Sequence, residues 1–235
     1  MIYAGILAGG IGSRMGNVPL PKQFLELDGK PIIIHTIEQF IINPSIQKII
    51  IAVPENWVVY TTDLLRKSIT TNDKIDVILG GYNKNNTLHR IVNFIDSEYG
   101  IEEKDVLVSH DAIRPFVTQR IINENIETVK GYDSANTAVP TIDTIIKAGK
   151  EKQIVEITPD RIFYSEQTPQ TFRLKKLQKI YKNEQLAKRH VNAVKMFMEA
   201  GNSVQLVYGE YANIKIVTQY DLEVANAILR DKTND

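Results

Sequence analysis

Cysteine is absent from this 235-residue chain, which excludes disulfide staples, thiolate metal centres and cysteine nucleophiles, and fits a reducing compartment. Net charge is absent too. With 28 Lys and Arg against 28 Asp and Glu, no overall field draws the chain onto a nucleic-acid backbone or an anionic bilayer, so an anionic ligand has to be held by local groups. Long apolar runs are missing: residues 1–9, MIYAGILAG, carry no basic flank and fall short of the ~18 residues of a membrane span. The expectation is a mature cytoplasmic protein with neither nucleic-acid nor membrane partners. The four histidines, His35, His89, His110 and His190, show no metal-ligand spacing. Internal repeats, low-complexity tracts and linker composition are also lacking, and the length suits one α/β domain, so residues 1–235 are read as a single domain.

What is present is a rhythm. Short apolar runs at 2–8, 48–54, 75–81 and 105–111 alternate with the segments 31–42, 57–69 and 86–99, whose apolar residues recur three and four apart. This pattern predicts a Rossmann-like α/β fold, a mostly parallel twisted sheet flanked by helices on both faces and built from right-handed βαβ units. After a further helical segment at 118–132 the rhythm breaks. Two strand-like stretches, 136–149 and 152–167, lie in tandem around KAGKEK, which predicts an antiparallel arm over about 134–168 projecting from the sheet. A two-stranded ribbon is marginal alone in water, so the arm is expected to pack on the body or on a second subunit. Helices are expected over 174–200, strands at 203–209 and 213–218, and a last helix capped by Thr218 and Asp221.

The stretch LAGGIGSRMGNVPLPKQF, Leu7 to Phe24, sets Arg14 and Lys22 in a loop of glycines and prolines. A dinucleotide fingerprint fails there, because Met15 stands where the third glycine belongs, and the spacing before Lys22 is not that of a P-loop. Bare amides that wrap a triphosphate, followed by two cations that neutralise it, account for the pattern better. Arg14 can fork onto phosphate oxygens and Lys22 supplies a compact charge. A glycine-rich surface turn with two solvated cations would have the same composition.

LAGGIGSRMG with PKQF, then HDAIRPF, QTPQTF and NIKIVTQYDL, in this order from the first strand to the last helix, resembles the CTP-dependent cytidylyltransferases of sugar-alcohol phosphates, a family that includes the methylerythritol-phosphate and ribitol-5-phosphate enzymes. The resemblance implies attack by a polyol phosphate on the α-phosphorus of CTP, with Mg²⁺ accompanying the nucleotide. It implies that Arg14, Lys22 and Lys215 form the catalytic cation cluster. Leu7, Ala8, Gly9, Gly10, Gly12, Gly80, Gly81, Lys84, Thr87, Asp111 and Ala112 would bind the nucleotide, Gly80 and Gly81 by letting the backbone approach the cytosine. Lys84 stands where the family usually has arginine, which keeps the charge and loses a bidentate fork. Asp111 would contact the ribose, the alcohol or the magnesium, with Arg114 supporting its loop, and His110 has no chemical task. The arm implies a homodimer in which Arg161 grips substrate in trans, although its distance to QTPQ is one residue short.

The clearest departure lies at Val191-Asn192-Ala193, where related enzymes commonly show Thr-Asp-Ala. Valine cannot donate a hydrogen bond and asparagine carries no charge, so the acceptor pocket, with Asn192 as a candidate substrate ligand, is altered while the nucleotide half is kept. GNVPLPKQF and HDAIRPF resemble the ribitol branch more than the isoprenoid one. The first expectation is therefore CDP-ribitol synthesis, for a teichoic-acid or capsule precursor, ahead of methylerythritol phosphate. A CTP-binding regulator without transfer activity and a dehydrogenase are the readings from other classes.

Overall fold

The computed structural model describes residues 1–10, 20–69, 73–158 and 163–233. In chain order these form β1 (Ile2–Leu7), the short pair β2 (Glu26–Leu27) and β3 (Lys30–Pro31), α1 (Ile32–Ile41), β4 (Lys48–Val53), α2 (Val58–Ser68), β5 (Ile75–Leu79), α3 (Lys84–Glu98), β6 (Val106–Asp111) and α4 (Gln119–Gly131). The second half adds β7 (Ser134–Pro140), β8 (Ile145–Ala148), β9 (Ile154–Thr158), β10 (Tyr164–Arg173), α5 (Leu174–Tyr181), α6 (Glu184–Arg189), α7 (Ala193–Glu199), β11 (Val204–Tyr208) and α8 (Gln219–Thr233). None of the helices among the described residues is long and apolar enough to cross a membrane.

Seven strands make one sheet in the order β11-β7-β10-β6-β1-β4-β5. Within it β10 alone runs antiparallel to its neighbours. Successive side chains point to opposite faces, and β1 and β4 read as near-continuous apolar runs because both faces are covered, leaving all but the first residue of each buried. On β1, Ala4 and Ile6 join β4 residues Ile49 and Ile51 against α1 and α4, while Tyr3 and Leu7 join Ile50 and Leu107 against α3, α5 and α7. A third cluster of Leu27, Ile32, Ile113, Phe116, Ile216 and Ala225 fastens α8 and the segment before it to the body.

Two expectations need correction. The segment 213–218 is no strand; it runs extended outside the sheet, held by Ile216 N donating to Ile113 O at 2.9 Å. Its buried residues are Asn213 and Ile216, with half-buried residues between them, and Ile216 packs with Ile113 and Phe116 of the turn after β6. The arm is also shorter than 134–168. Both β7 and β10 are strands of the main sheet, and the separate antiparallel ribbon is β8–β9. The α8 cap forms as the spacing predicts: Asp221 Oδ2 accepts from Thr218 N at 2.7 Å and Thr218 Oγ1 accepts from Asp221 N at 3.2 Å.

Candidate active site

The carboxyl ends of β1, β4, β5 and β6 lie along one edge of the sheet, where open α/β sheets hold their ligands. A cavity of about 200 Å³ opens there. Leu7, Ala8, Gly9 and Gly10 line it from β1 and its loop, and Gly81, Lys84 and Thr87 from the turn into α3. Asp111, Ala112, Lys22 and Lys215 line it as well.

Each cation arrives by a different local device. Lys22 sits on a single 3-10 turn whose neighbours are fixed: Gln23 Nε2 donates to Ala8 O at 2.8 Å, and Phe24 stacks on Trp57 at 5.0 Å. Anchoring the residues after it leaves the lysine beside the glycine loop, its Cε 3.8 Å from where a Cβ on Gly10 would lie. Lys215 is flanked by the buried anchor Ile216 and by Asn213, whose Nδ2 donates to Thr168 O at 2.9 Å. Arg114 Nη1 donates to Asn213 O at 2.7 Å. Residues 110–114, 167–168 and 213–216 are thus stitched together by backbone-directed bonds, which is how three motifs far apart in sequence meet.

Asp111 is the electrostatic hub. Its carboxylate is 2.9 Å from Lys215 Nζ, 3.2 Å from Lys84 Nζ and 3.5 Å from Arg114 Nε. Burial pushes the carboxyl up, yet Lys84, Lys215 and Arg114 outweigh it and hold Asp111 well below the usual carboxylate range. Burial lowers Arg114 from its ordinary value against the pull of Asp111 and Glu166. The last of the three is the least tightly bound, since 3.5 Å is long for a hydrogen bond.

His110 underpins this turn. It is fully buried, with Nε2 3.1 Å from Arg114 O and Nδ1 2.9 Å from Thr168 Oγ1. Because Arg114 O can only accept, Nε2 carries the proton and Nδ1 accepts from the threonine. Thr168 Oγ1 in turn accepts from Asp111 N at 3.1 Å. Burial, against the pull of the Arg114 carbonyl and Asp111, pushes His110 from 6.5 down to about 3. The unfolded chain therefore takes up a proton that the folded chain refuses as pH falls through that interval. Stability should decline from pH 6.5 toward about 3, by at most about 1.4 kcal/mol per pH unit from this residue. Thermal melts between about pH 7.5 and about pH 4.5 should show His110→Asn less stable at the top of the range and flatter across it; parallel curves would refute the assignment.

In the turn after β5, Gly80, expected at the nucleotide, is not among the residues that line the cavity; its N–H donates to Val53 O at 2.7 Å. Gly81 admits no side chain: a Cβ would lie 2.1 Å from Asn86 Oδ1 and 2.7 Å from Thr87 N. Asn83 caps α3 by accepting from Asn86 N at 2.8 Å, and Thr87 Oγ1 accepts from Gly81 N at 3.0 Å while donating to Asn83 O at 2.8 Å. The threonine hydroxyl thus shapes the loop that carries the exposed Tyr82.

Asn192 stands apart from this set. It caps α7 and lines an adjoining cavity of about 230 Å³, which shares Lys84 with the first. Gly12, Arg14 and Arg161 lie outside the described residues. Gln23, Tyr82, Asn83 and Ile113 line the first cavity and Thr168 and Asn213 brace it, though none was singled out from the sequence. Gln23, Ile113, Thr168 and Asn213 stand inside quoted motifs, PKQF, HDAIRPF, QTPQTF and NIKIVTQYDL, the one signal that could have found them.

For a magnesium ion the described residues offer little. Asp111 is the one carboxylate lining the cavity, three cations already balance it, and no group of three or more His, Asp or Glu side chains converges among the described residues. Mg²⁺ bound with a nucleotide takes most of its ligands from phosphates and water, which asks little of the described residues.

Comparison with known proteins places this geometry. A protein-family model described as IspD: 2-C-methyl-D-erythritol 4-phosphate cytidylyltransferase matches residues 2–231. The chain is similar to the Francisella tularensis 2-C-methyl-D-erythritol 4-phosphate cytidylyltransferase (IspD), with 31% identity, 96% of this chain and 98% of that one covered, and a TM-score of 0.76. It is also similar in fold to the Anaerococcus prevotii 4-diphosphocytidyl-2C-methyl-D-erythritol synthase, at 24% identity, 97% and 96% coverage and a TM-score of 0.82. The 2-C-methyl-D-erythritol 4-phosphate cytidylyltransferase of Thermus thermophilus gives 21% identity, 98% and 100% coverage and a TM-score of 0.74.

Proposed function

The chain belongs to the IspD family of CTP-dependent cytidylyltransferases, and from that premise we propose that it joins CTP to 2-C-methyl-D-erythritol 4-phosphate. The observation that carries the reading is the convergence of Lys22, Lys84 and Lys215 with Asp111 on one cavity beside the glycine loop. In the reaction a phosphate oxygen of the alcohol attacks the α-phosphorus of CTP. The new P–O bond forms as the bond to the bridging oxygen breaks, and pyrophosphate leaves with the electron pair. The attacking oxygen is already ionised at neutral pH, so no general base is needed, in keeping with a buried neutral His110.

What the chain contributes is position and charge. Amides of Gly9 and Gly10 face the triphosphate, the Gly81 turn admits the base, and Lys22 and Lys215 neutralise the charge that builds on the α-phosphate and its leaving group. Arg14 would add a fork to the same oxygens. Magnesium enters as part of the nucleotide substrate and supplies further charge neutralisation there.

Ribitol 5-phosphate, first in the sequence reading, stands second, because the family model and the similar solved structures carry the methylerythritol name. Two observations keep it in view: the GNVPLPKQF and HDAIRPF blocks, and Val191-Asn192 in the acceptor region. The deciding experiment is a pyrophosphate-release assay with CTP and a panel of methylerythritol, ribitol, arabinitol and glycerol phosphates. Release with methylerythritol phosphate in preference supports the proposal, and preference for ribitol phosphate replaces it with the second reading. No release with any of them, alongside a CTP-induced rise in melting temperature, would instead identify a CTP-binding regulator.

The ribbon β8–β9 exposes Ile145, Ile146, Ile154, Val155 and Ile157, and Ile142 just before it is exposed too, an apolar surface that a two-stranded element cannot bury by itself. A second copy of the chain is its proposed cover, with Arg161 carried toward the partner's site. Sedimentation should give twice the chain mass for the native protein, and Ile146→Asp with Ile157→Asp should shift it to monomer. A native monomer at assay concentration would rule this out.

A further inference from the structure

The cavity beside the nucleotide site is walled by Lys84, Leu88, Glu166, Gln170, Val191 and Asn192. Its polar side is one network. Glu166 Oε2 accepts from Asn192 Nδ2 at 3.0 Å, Glu166 Oε1 accepts from Asn136 Nδ2 at 3.1 Å, and Gln170 Nε2 donates to Asn136 Oδ1 at 3.3 Å. Asn192 is committed on its other side, its Oδ1 accepting from Lys195 N at 2.9 Å as the cap of α7. The wall therefore holds one carboxylate, Glu166, tied to neutral amides.

The carboxylate of Glu166 reaches this wall from β10, 3.0 Å from Asn192 on the opposite side.

We propose that Glu166 is a specificity-determining residue for the acceptor: its carboxylate, in the cavity that joins the nucleotide site at Lys84, accepts hydrogen bonds from hydroxyl groups of the sugar alcohol. This rests on the cytidylyl-transfer reading given above. Charge sets the direction in which the acceptor lies. A carboxylate repels phosphate and accepts from hydroxyls, so the phosphate end lies at Lys215 and Lys84 and the hydroxylated chain extends toward Glu166 and Asn192. A hydroxyl donating to a carboxylate is among the stronger hydrogen bonds. A substrate lacking that hydroxyl leaves the acid facing a partner it cannot use.

The test is steady-state kinetics with CTP and whichever alcohol phosphate the wild type uses. Glu166→Gln keeps the shape and one acceptor of the side chain and removes its charge. Its melting temperature checks the fold. The KM for the alcohol phosphate should rise roughly 10-fold with the KM for CTP unchanged, the scale of one charge-assisted bond. Moving the acid to the other wall, in the double variant with Glu166→Gln and Asn192→Asp, should recover most of that loss. An unchanged acceptor KM in Glu166→Gln overturns the proposal, as does a parallel rise in both KM values or a double variant as poor as the single one. A wild type that releases no pyrophosphate with any acceptor removes the cytidylyl-transfer reading itself, a failure visible before any variant is made.

Discussion

Lys22→Ala and Lys215→Ala are each expected to lower kcat by about 10²-fold or more while leaving the fold intact, the scale on which losing one charge-stabilising group acts. Both side chains line the cavity at the strand ends, yet neither is part of the apolar clusters that hold the chain together. Lys22 rides on a turn whose fixed points are Gln23 and Phe24, and Lys215 on a segment whose fixed points are Asn213 and Ile216. Truncating either lysine leaves those anchors in place. If their task lies in the transition state, kcat and kcat/KM fall together; if they only attract CTP, the KM for CTP rises with kcat unchanged. Arginine should rescue either position poorly, because its planar fork cannot occupy the compact space of an ammonium. Single-turnover assays at saturating CTP separate the two cases, and activity within about threefold of wild type in both variants would remove the cation cluster from the mechanism.

Where the residues carry their own pattern, the fold was legible. β1 and β4 appear as near-continuous apolar runs because they are covered on both faces, and α1 to α4 show the three-and-four spacing because each buries a single stripe. The segment 213–218 misled for a physical reason: its apolar residues alternate in sequence as a strand's do, but the fold buries Asn213 and Ile216 and ties Ile216 to the turn after β6 instead of to a neighbouring strand. The arm was overextended because β7 and β10 are themselves an antiparallel pair, continuous in sequence with the ribbon beyond them. Within the site, lysines and glycines announce themselves by residue type and spacing. Gln23, Thr168 and Asn213 do not, because what they do is donate to or accept from backbone groups that only the folded chain brings near. Glu166 was illegible for the same reason, as its neighbour Asn192 lies 26 positions away.

Asp111→Asn is expected to lower stability sharply in the free protein and to regain part of the loss when CTP or pyrophosphate is added. The carboxylate is almost wholly buried against three cations, of which Arg114 is itself buried. Removing one partner of such a cluster strands the others, a change on the order of 3–5 kcal/mol. For a chain of this length that corresponds to a drop in Tm of roughly 6–20 °C. The sign with pH follows from the lowered pKa: the stabilisation is complete above the ordinary carboxyl value of 3.8 and disappears as pH falls through the depressed one. Hence the wild type and Asp111→Asn should differ fully at neutral pH and converge only in strong acid. Lys84 and Lys215 face the cavity as well as Asp111, so a triphosphate can take over the balancing charge that the variant lacks. The ligand-induced rise in Tm should accordingly be larger in Asp111→Asn than in the wild type, even as turnover falls. Equal rises in the two proteins would mean that the lysines stay with the carboxylate when nucleotide binds, and would place the triphosphate elsewhere in the crevice.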